Sequence, residues 1–208
     1  MKKNSKYFFI LALIFISIFS LSAQRYYWVG DGDRTSWSDV QNWSSTSGGL
    51  GGVGGGINVA PTSSHTVVFD QNSKLINTGT VANQRNVITS GVVFCDSLIV
   101  QNCTTATLPV FYNISGQTGG ISIYGSLFLQ DGVTFRNYAR FNFNSVRAQE
   151  TIDINNVNLF ENIDWLTTYN YAHSTFNGSA IYRLVRNTNG FASIIISVCP
   201  QSLNISGF

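Results

Sequence analysis

ISIYGSLFL, residues 121–129, is the stretch that decides the fold. Apolar residues alternate with other residues on both sides of Gly125, and alternation of period two is typical of strands with one buried face. A glycine inside such a run marks a bend, because it has no side chain to obstruct a close turn of the backbone. The stretch therefore predicts two short strands that meet at a corner.

Similar alternating runs recur along the chain, and helical patterns are nearly absent. The runs are residues 66–70, 86–94, 97–100, 121–129, 141–146, 151–160, 180–185, 192–198 and 202–206. Hairpin signals are scarce, since Asn-Gly occurs only at 177–178 and 189–190. A sandwich needs tight reversals after most strands, whereas a solenoid turns in one direction throughout. We therefore predict an all-β fold, a right-handed parallel β-helix (solenoid), with coils of roughly 20–25 residues.

Three tryptophans lie in a stretch rich in glycine, serine and aspartate, residues 26–49, at the start of the predicted solenoid. The end of a solenoid has an apolar interior and a strand edge that must be covered, and large flat indole rings can cover it with few residues. The second hypothesis is an exposed platform on which indoles stack against sugar rings while polar neighbours bond the hydroxyl groups. The residues of this hypothetical glycan-binding site are Trp28, Trp37, Trp43, Asp31, Asp33 and Asn42.

The first 24 residues have the pattern of a secretory signal peptide. Three lysines precede an apolar run from Tyr7 to Leu21, and small residues follow it. This run of about fifteen residues is shorter than the roughly twenty that span a bilayer, so we predict no membrane span after its removal. The expected domains are a signal peptide at 1–24, a Trp-rich cap and Gly-rich loop at 25–70, and β-helix coils at 71–208. The last coil has no polar cap, which predicts a truncated chain with further coils or domains in the full-length protein.

The charge content argues against two classes of partner. Only 11% of residues are charged, and the formal net charge of +2 includes the signal-peptide lysines. A nearly neutral mature chain has no electrostatic attraction to nucleic acid or to anionic lipid. The signal peptide predicts an extracellular or outer-surface location. Extracellular polysaccharide or cell-surface components are then the candidate partners.

Four short motifs surround the tryptophans and the first long strand: WVG at 28–30, WSD at 37–39, NWS at 42–44 and PTSSHTVVFD at 61–70. Together they resemble the amino-terminal module of large surface and secreted, adhesin-like proteins of Bacteroidetes. The resemblance implies a parallel β-helix, adhesion repeats and a sorting domain for type IX secretion, although neither repeats nor sorting domain is visible here. Two departures stand out: DGDRTSW at 31–37 replaces a glycine-rich motif, and His65 stands where Asp is common.

No motif predicts a catalytic, metal or cofactor site. GLGGVG at 49–54 matches the letters of a dinucleotide fingerprint but has no strand before it and no helix after it. Residues 31–39 contain three aspartates, but the loop lacks the glycine at the sixth position and the glutamate at the twelfth, where Asn42 stands, that a calcium loop has. His65 and His173 have no partner at a recognisable spacing. We predict no catalytic residue, no metal ligand and no cofactor.

Charged residues cluster most densely in the second half of the chain. Lyases and hydrolases of the β-helix class place carboxylates and basic residues together on an outer face, where they serve as acid and base. Solvated charges on that face are the simpler interpretation. The members of the cluster are Asp131, Arg136, Arg140, Arg147, Glu150, Asp153, Glu161 and Asp164.

The cysteines are Cys95, Cys103 and Cys199. A strand between the first two would hold them some 26 Å apart, too far for a disulfide, so we predict buried thiols, with a bridge to Cys199 left open. The function predicted from the sequence is a secreted or cell-surface structural, adhesin-like protein without catalytic activity. The alternative is a module that binds or degrades polysaccharide.

Overall fold

The computed structural model describes residues 23–76, 86–113, 120–130, 137–138, 140–153, 174–176, 181–185, 196–197 and 204–205. These residues form strands and turns, with two short 3-10 helices at Val40–Asn42 and Gly52–Gly55. No helix among them is both long enough and apolar enough to cross a membrane. Almost all of the predicted signal peptide lies outside the described residues, and the first strand begins at its last residue, Gln24.

The described residues contain sixteen strands. In chain order they are β1 (Gln24–Trp28), β2 (Trp43–Ser44), β3 (His65–Phe69), β4 (Asn86–Thr89), β5 (Val92–Cys95), β6 (Leu98–Val100), β7 (Val110–Asn113), β8 (Gly120–Ile123), β9 (Leu127–Leu129), β10 (Asn137–Tyr138), β11 (Arg140–Phe143), β12 (Gln149–Asp153), β13 (Ser174–Phe176), β14 (Ile181–Val185), β15 (Ile196–Ser197) and β16 (Asn204–Ile205).

These strands lie in three sheets. The first has eight strands in the order β16-β14-β12-β9-β6-β3-β1-β2, the second has the order β10-β7-β4, and the third has the order β15-β13-β11-β8-β5. In the first sheet Val67 pairs with Leu98, which pairs with Leu127, so apolar residues from distant parts of the chain stand side by side. All pairings between these strands are parallel except that of β1 with β2.

The prediction of a right-handed parallel β-helix (solenoid), with coils over 71–208, is wrong. The largest sheet is mixed, because β2 runs antiparallel to β1 and pairs Trp43 with Trp28. The three sheets are separate and open, so the described strands form neither a closed nor a solenoid sheet. Alternation of period two reports which face of a strand is buried and not how the sheets join, which is why the sequence pattern allowed the wrong architecture.

The glycine of the 121–129 stretch lies at a change of sheet. Gly125 separates β8, in the third sheet, from β9, in the first. A Cβ atom at this position would lie 2.9 Å from the Asp96 carbonyl oxygen and 2.5 Å from Ser97 Oγ, so the close approach of the Asp96–Ser97 segment requires glycine. The predicted run 86–94 is divided in the same way, because Gly91, with φ +81°, separates β4 from β5. Both runs therefore bend at their glycine.

The core receives side chains from all three sheets. Leu98 of the first sheet, Val87 of the second and Ile121 of the third are fully buried in one apolar cluster. Two serine hydroxyls join successive segments of the chain at the corner between the third and first sheets. Ser97 Oγ accepts from the Ser126 amide at 3.0 Å, and Ser126 Oγ accepts from the Thr151 amide at 2.9 Å. The corner is thus held by side chains as well as by the strand ladders.

The amino-terminal segment covers the edges of two sheets. In the first sheet, β1 and β2 extend the ladder beyond β3. In the second, Ser36 forms an isolated parallel bridge with Ile88, supported by the bonds from Trp37 N to Ile88 O (2.9 Å) and from Ile88 N to Thr35 O (2.6 Å). The tryptophan-rich stretch therefore lies directly against the ends of these two sheets.

Candidate functional site

The three tryptophans of the hypothetical glycan-binding site are buried. Trp28 and Trp43 have no exposed surface and Trp37 retains 1%. They come together because β1 places Trp28 beside Trp43 of β2, while the turn at 36–38 is held against β4. Three residues from one polar stretch thus converge on a single apolar site.

The indole rings pack mostly edge to face. Trp43 lies 5.0 Å from Trp28 and 5.1 Å from Trp37, between ring centres, at steep interplanar angles. Phe69 lies 5.5 Å from Trp28 and 5.4 Å from Phe111, which extends the aromatic contacts into the second sheet. Edge-to-face pairs at these separations contribute about 0.5–1.5 kcal/mol each beyond the area that they bury.

The indole nitrogens are bonded within the protein at two of the three positions. Trp43 Nε1 donates to the Trp37 carbonyl at 2.7 Å, and Trp28 Nε1 donates to the Lys74 carbonyl at 3.2 Å. The Trp37 indole nitrogen is buried without a hydrogen-bond partner in the described part of the chain. The bonds of Trp28 and Trp43 fix the orientation of their rings within the cluster.

The polar loop at residues 29–42 lies next to the indole rings, and the side chain of Asn42 holds it together with four hydrogen bonds. Its amide oxygen accepts from the backbone amides of Gly32 (3.2 Å) and Arg34 (3.0 Å). Its amide nitrogen donates to Asp33 Oδ1 (2.8 Å) and to the Ser36 carbonyl (3.0 Å). Asn42 is completely buried, and these four bonds use the full capacity of its side-chain amide.

The two aspartates of the hypothetical site are also bonded within the loop. Asp33 Oδ1 accepts from the amides of Thr35 and Ser36, both at 2.8 Å. Burial raises the pKa of Asp33, but bonds from Ser36, Thr35 and Asn42 outweigh it and lower the pKa to about 2. Asp31 pairs with Lys74 at 2.7 Å and accepts from the Gly51 amide at 3.0 Å, and the Lys74 hydrogen bond is the main reason that its pKa is lowered.

This geometry bears directly on the sugar-stacking hypothesis. Stacking on a sugar requires an exposed aromatic face, and none of the three indoles offers one in this conformation. Asn42 has no exposed surface with which to reach a hydroxyl group. Trp28, Trp37 and Trp43 pack together and Asn42 bonds Asp33, while Asp31 bonds Lys74 and Gly51. This arrangement favours packing and loop support over contact with a ligand.

The glycine-rich loop, residues 48–56, projects two apolar side chains beside this cluster. Leu50 is 68% exposed and Val53 is 77% exposed. The loop contains the 3-10 helix Gly52–Gly55 and is held by Ser45, whose amide and hydroxyl both bond the Gly55 carbonyl. The short helix and the Ser45 bonds hold the backbone of this loop in a defined conformation.

His65 lies at the start of β3 and completes a turn. Its ring stacks on Tyr26 at 4.2 Å between centres, and its Nδ1 accepts from the Thr62 amide at 3.0 Å. The imidazole therefore accepts a hydrogen bond within this turn. Desolvation by burial lowers the pKa of His65. His173 lies outside the described residues.

The thiols of Cys95 and Cys103 are free and buried, as predicted for these two cysteines. Burial raises the pKa of Cys95 far above its ordinary range and that of Cys103 to about 12. A protonated buried thiol is neither a good nucleophile nor a metal ligand. Because both thiols are free, neither forms the bridge to Cys199 that the sequence left open, and Cys199 itself lies outside the described residues.

Part of the predicted charge cluster forms an ion-pair network centred on Arg147. Its guanidinium bonds Asp96 at 2.8 Å and Glu150 at 2.5 Å, and it donates to the Tyr124 carbonyl at 2.9 Å. Glu150 is 7% exposed and also accepts from the hydroxyls of Ser126 and Ser145. The network ties the chain before β6 to that before β9 and to β12, and its carboxylates are occupied by structural partners.

Among the other members of the charge cluster, the structure describes the side chain of Asp153 alone. Asp153 is the last residue of β12, and the side chain of Arg140 and all of Asp131, Arg136, Glu161 and Asp164 lie outside the described residues. Asp96, which the sequence reasoning missed, joins the network from a position 51 residues before Arg147, and no local spacing could have indicated that pairing. The described residues contain no group of three or more His, Cys, Asp or Glu side chains arranged to hold a metal ion.

Comparisons with known proteins complete the description of the site. Neither the models of protein families, nor the curated proteins, nor the solved structures contain a match to this chain.

Proposed function

We propose that this chain is an exported, adhesin-like structural protein that acts outside the cell or on its outer surface without catalysing a reaction. The single observation that supports this best is the burial of Trp28, Trp37 and Trp43 in one cluster. Residues that would otherwise be the strongest candidates for ligand contact are used to hold the end of the sheets together.

The polar residues near the cluster support the same proposal. Asn42 uses its side-chain amide on the backbone and on Asp33, and Asp31 is paired with Lys74. In the second half of the chain, Glu150 is bonded to Arg147 and to two serines. A carboxylate that acts as acid or base must reach a proton of the substrate, whereas Glu150 is committed to neighbours in its own chain.

Export is proposed from the sequence of residues 1–24, and it has a direct test. The full chain, expressed in a bacterial host, is expected outside the inner membrane with an amino terminus at Arg25, as read by mass spectrometry. The matched control is Leu13→Arg, which places a charge in the apolar run and is expected to leave the chain inside and uncleaved. An uncut wild-type chain retained in the cytoplasm would contradict export.

The proposed partners are extracellular polysaccharide or cell-surface components, contacted by surfaces other than the tryptophan cluster. Glycan-array binding and release of reducing ends from polysaccharides separate adhesion from the carbohydrate-active alternative. We expect no release of reducing ends and no sugar-dependent change in tryptophan fluorescence. Cleavage that is lost in Glu150→Gln, or binding that is lost in a folded Trp37→Phe variant, would contradict the proposal.

A further inference from the structure

The first strand of the structure begins at the boundary of the predicted signal peptide. β1 runs from Gln24 to Trp28, and Gln24 pairs in parallel with His65 of β3. Ala23 precedes the strand, and Gln24 is exposed. A cut after Gln24 would remove the first residue of β1 together with its pairing to His65, whereas a cut after Ala23 leaves the strand whole.

The residue types at this boundary favour the same position for the cut. Signal peptides end in small residues at the cleavage site, and Ala23 is small whereas Gln24 is not. Export alone is compatible with Arg25 as the first residue, as expected from a signal peptide that ends at residue 24. The small residue and the strand pairing together favour a cut one residue earlier, so that the exported chain begins with glutamine.

A glutamine with a free α-amino group can close a ring on itself. The α-amino nitrogen attacks the side-chain carbonyl carbon, Cδ, and a C–N bond forms while the bond from Cδ to Nε2 breaks. The released amide group takes a proton from the amine and leaves as ammonia. The product is pyroglutamate, a lactam that keeps one backbone N–H and the backbone carbonyl, and its formation needs neither an oxidant nor a reductant.

We infer that the exported chain begins at Gln24 and that this residue is a site of cyclisation to pyroglutamate by a glutaminyl cyclase. The inference rests on the proposed export, since the α-amino group of Gln24 exists only after the signal peptide is removed. The exposure of Gln24 leaves its side-chain amide accessible to the enzyme. Cyclisation removes the positive charge of the free α-amino group, so that Arg25 alone carries charge at this end of β1.

The modification would protect the strand that holds the tryptophan cluster. Tyr26 and Trp28 of β1 are buried in the core, and β1 pairs Trp28 with Trp43. Proteolysis concentrates at chain termini, and aminopeptidases remove residues one at a time from a free α-amino group. A lactam offers no such group, so β1 stays complete outside the cell.

The amino-terminal peptide of the exported chain tests the inference. The full chain is expressed in a bacterial host, the folded exported protein is incubated with purified glutaminyl cyclase, and the peptide is read by mass spectrometry. We expect a peptide that begins at residue 24 and is lighter than its unmodified sequence by one molecule of ammonia. An uncut chain would contradict export itself, whereas a cut chain that begins at Ala23 or Arg25 would leave export standing and overturn the inference. A peptide that begins at Gln24 but keeps its ammonia after the treatment would overturn it as well.

The matched control is Gln24→Asn. The asparagine amide is one methylene shorter, and the corresponding four-membered ring is too strained to form. Because position 24 is exposed, the variant should fold with a circular dichroism spectrum like that of the wild type, be cut after Ala23 and keep its ammonia under the same treatment. Equal loss of ammonia from the peptides of both chains would place the reaction at another residue and overturn the inference.

Digestion with an aminopeptidase tests the protective role separately. The cyclised wild-type chain should release no amino acids, whereas Gln24→Asn should lose residues from β1. Loss of β1 should also change the tryptophan fluorescence of the variant, because β1 pairs Trp28 with Trp43. Equal trimming of the two chains, or trimming of neither, would contradict protection by the lactam.

Discussion

The chain stabilises two of its regions with different chemistry. At the amino-terminal end, residues 24–76, indole rings fill the core and a buried neutral amide, Asn42, holds the loop above them. Along residues 86–153 the core is mostly aliphatic, and a half-exposed guanidinium, Arg147, holds the corner between the third and first sheets. Asn42 and Arg147 have similar tasks, since each bonds several backbone or side-chain groups from separate parts of the chain.

The difference reflects what each region has to cover. Within a sheet, each inner strand has a neighbour on both sides, so small aliphatic side chains such as Leu98 and Leu127 fill the space between them. At β1 and β2 the ladder ends, and bulky rings fill the remaining volume. A fully buried side chain that bonds several groups, such as Asn42, must be neutral or completely paired. A side chain with the same role at the surface, such as Arg147, can be ionic because water solvates its exposed side. We call Asn42 the neutral hub and Arg147 the ionic hub.

The largest expected effect comes from removing a ring at the amino-terminal end. Trp43→Ala should lower the free energy of unfolding by about 4 kcal/mol, because it leaves a cavity between Trp28, Trp37 and Phe69. Leu98→Ala, the matched change in the aliphatic region, should cost about 3 kcal/mol. Urea denaturation followed by circular dichroism measures both. A cost below about 1 kcal/mol for Trp43→Ala would contradict the view that the rings stabilise this end.

The second effect tests the neutral hub. Asn42→Ala removes the partners of the Gly32 and Arg34 amides and of the Ser36 carbonyl, which should cost about 3 kcal/mol. The cost should be nearly the same at low and at high salt, because the acceptors and donors concerned are mostly uncharged. The control is Asn58→Ala, at an exposed asparagine, where less than about 0.5 kcal/mol is expected.

The third effect tests the ionic hub. Arg147→Met leaves Glu150 buried without its cationic partner and should cost about 2 kcal/mol at low salt. Because half of the Arg147 side chain is exposed, salt should already weaken the wild-type network and reduce the difference between the two chains. Arg147→Met combined with Glu150→Gln should recover part of the loss. An effect of Arg147→Met that is independent of salt would remove the contrast with Asn42.

The sequence predicted the strands better than the way they assemble. Period-two alternation located most of the strands, and the glycine in 121–129 correctly marked a bend, but the same signal at Gly91 was overlooked. β1 and β7 were missed because YYW and VFYN are bulky on both faces and show no alternation. The sheet arrangement was predicted wrongly, since strand periodicity carries no information about which distant strands pair or whether sheets close.

The candidate site shows the same limit. The sequence grouped NWS at 42–44 with the nearby tryptophans, and Trp43 does contact Trp37 in the structure. Their burial depends on β3 and β4, whose pairing partners lie far along the chain, so the sequence left both a glycan-binding surface and a covered core open. The contact of Arg147 with Asp96 likewise depends on the order of strands in two sheets.

The smallest expected effect distinguishes the two regions by pH. Asp33 has a folded-state pKa of about 2 against an ordinary value of 3.8, so its ionised form stabilises the folded chain. This contribution is complete above about pH 4 and is lost as the pH falls from there towards 2. Because the carboxyl group is partly solvated, we expect only about 1 kcal/mol. Asp33→Asn should flatten the loss of stability between pH 4 and 2, measured by urea midpoints, whereas Asn58→Ala should leave the wild-type slope unchanged. An unchanged slope in Asp33→Asn would show that the loop above the tryptophans is held without its carboxylate, and the neutral hub at Asn42 would then account for that end alone.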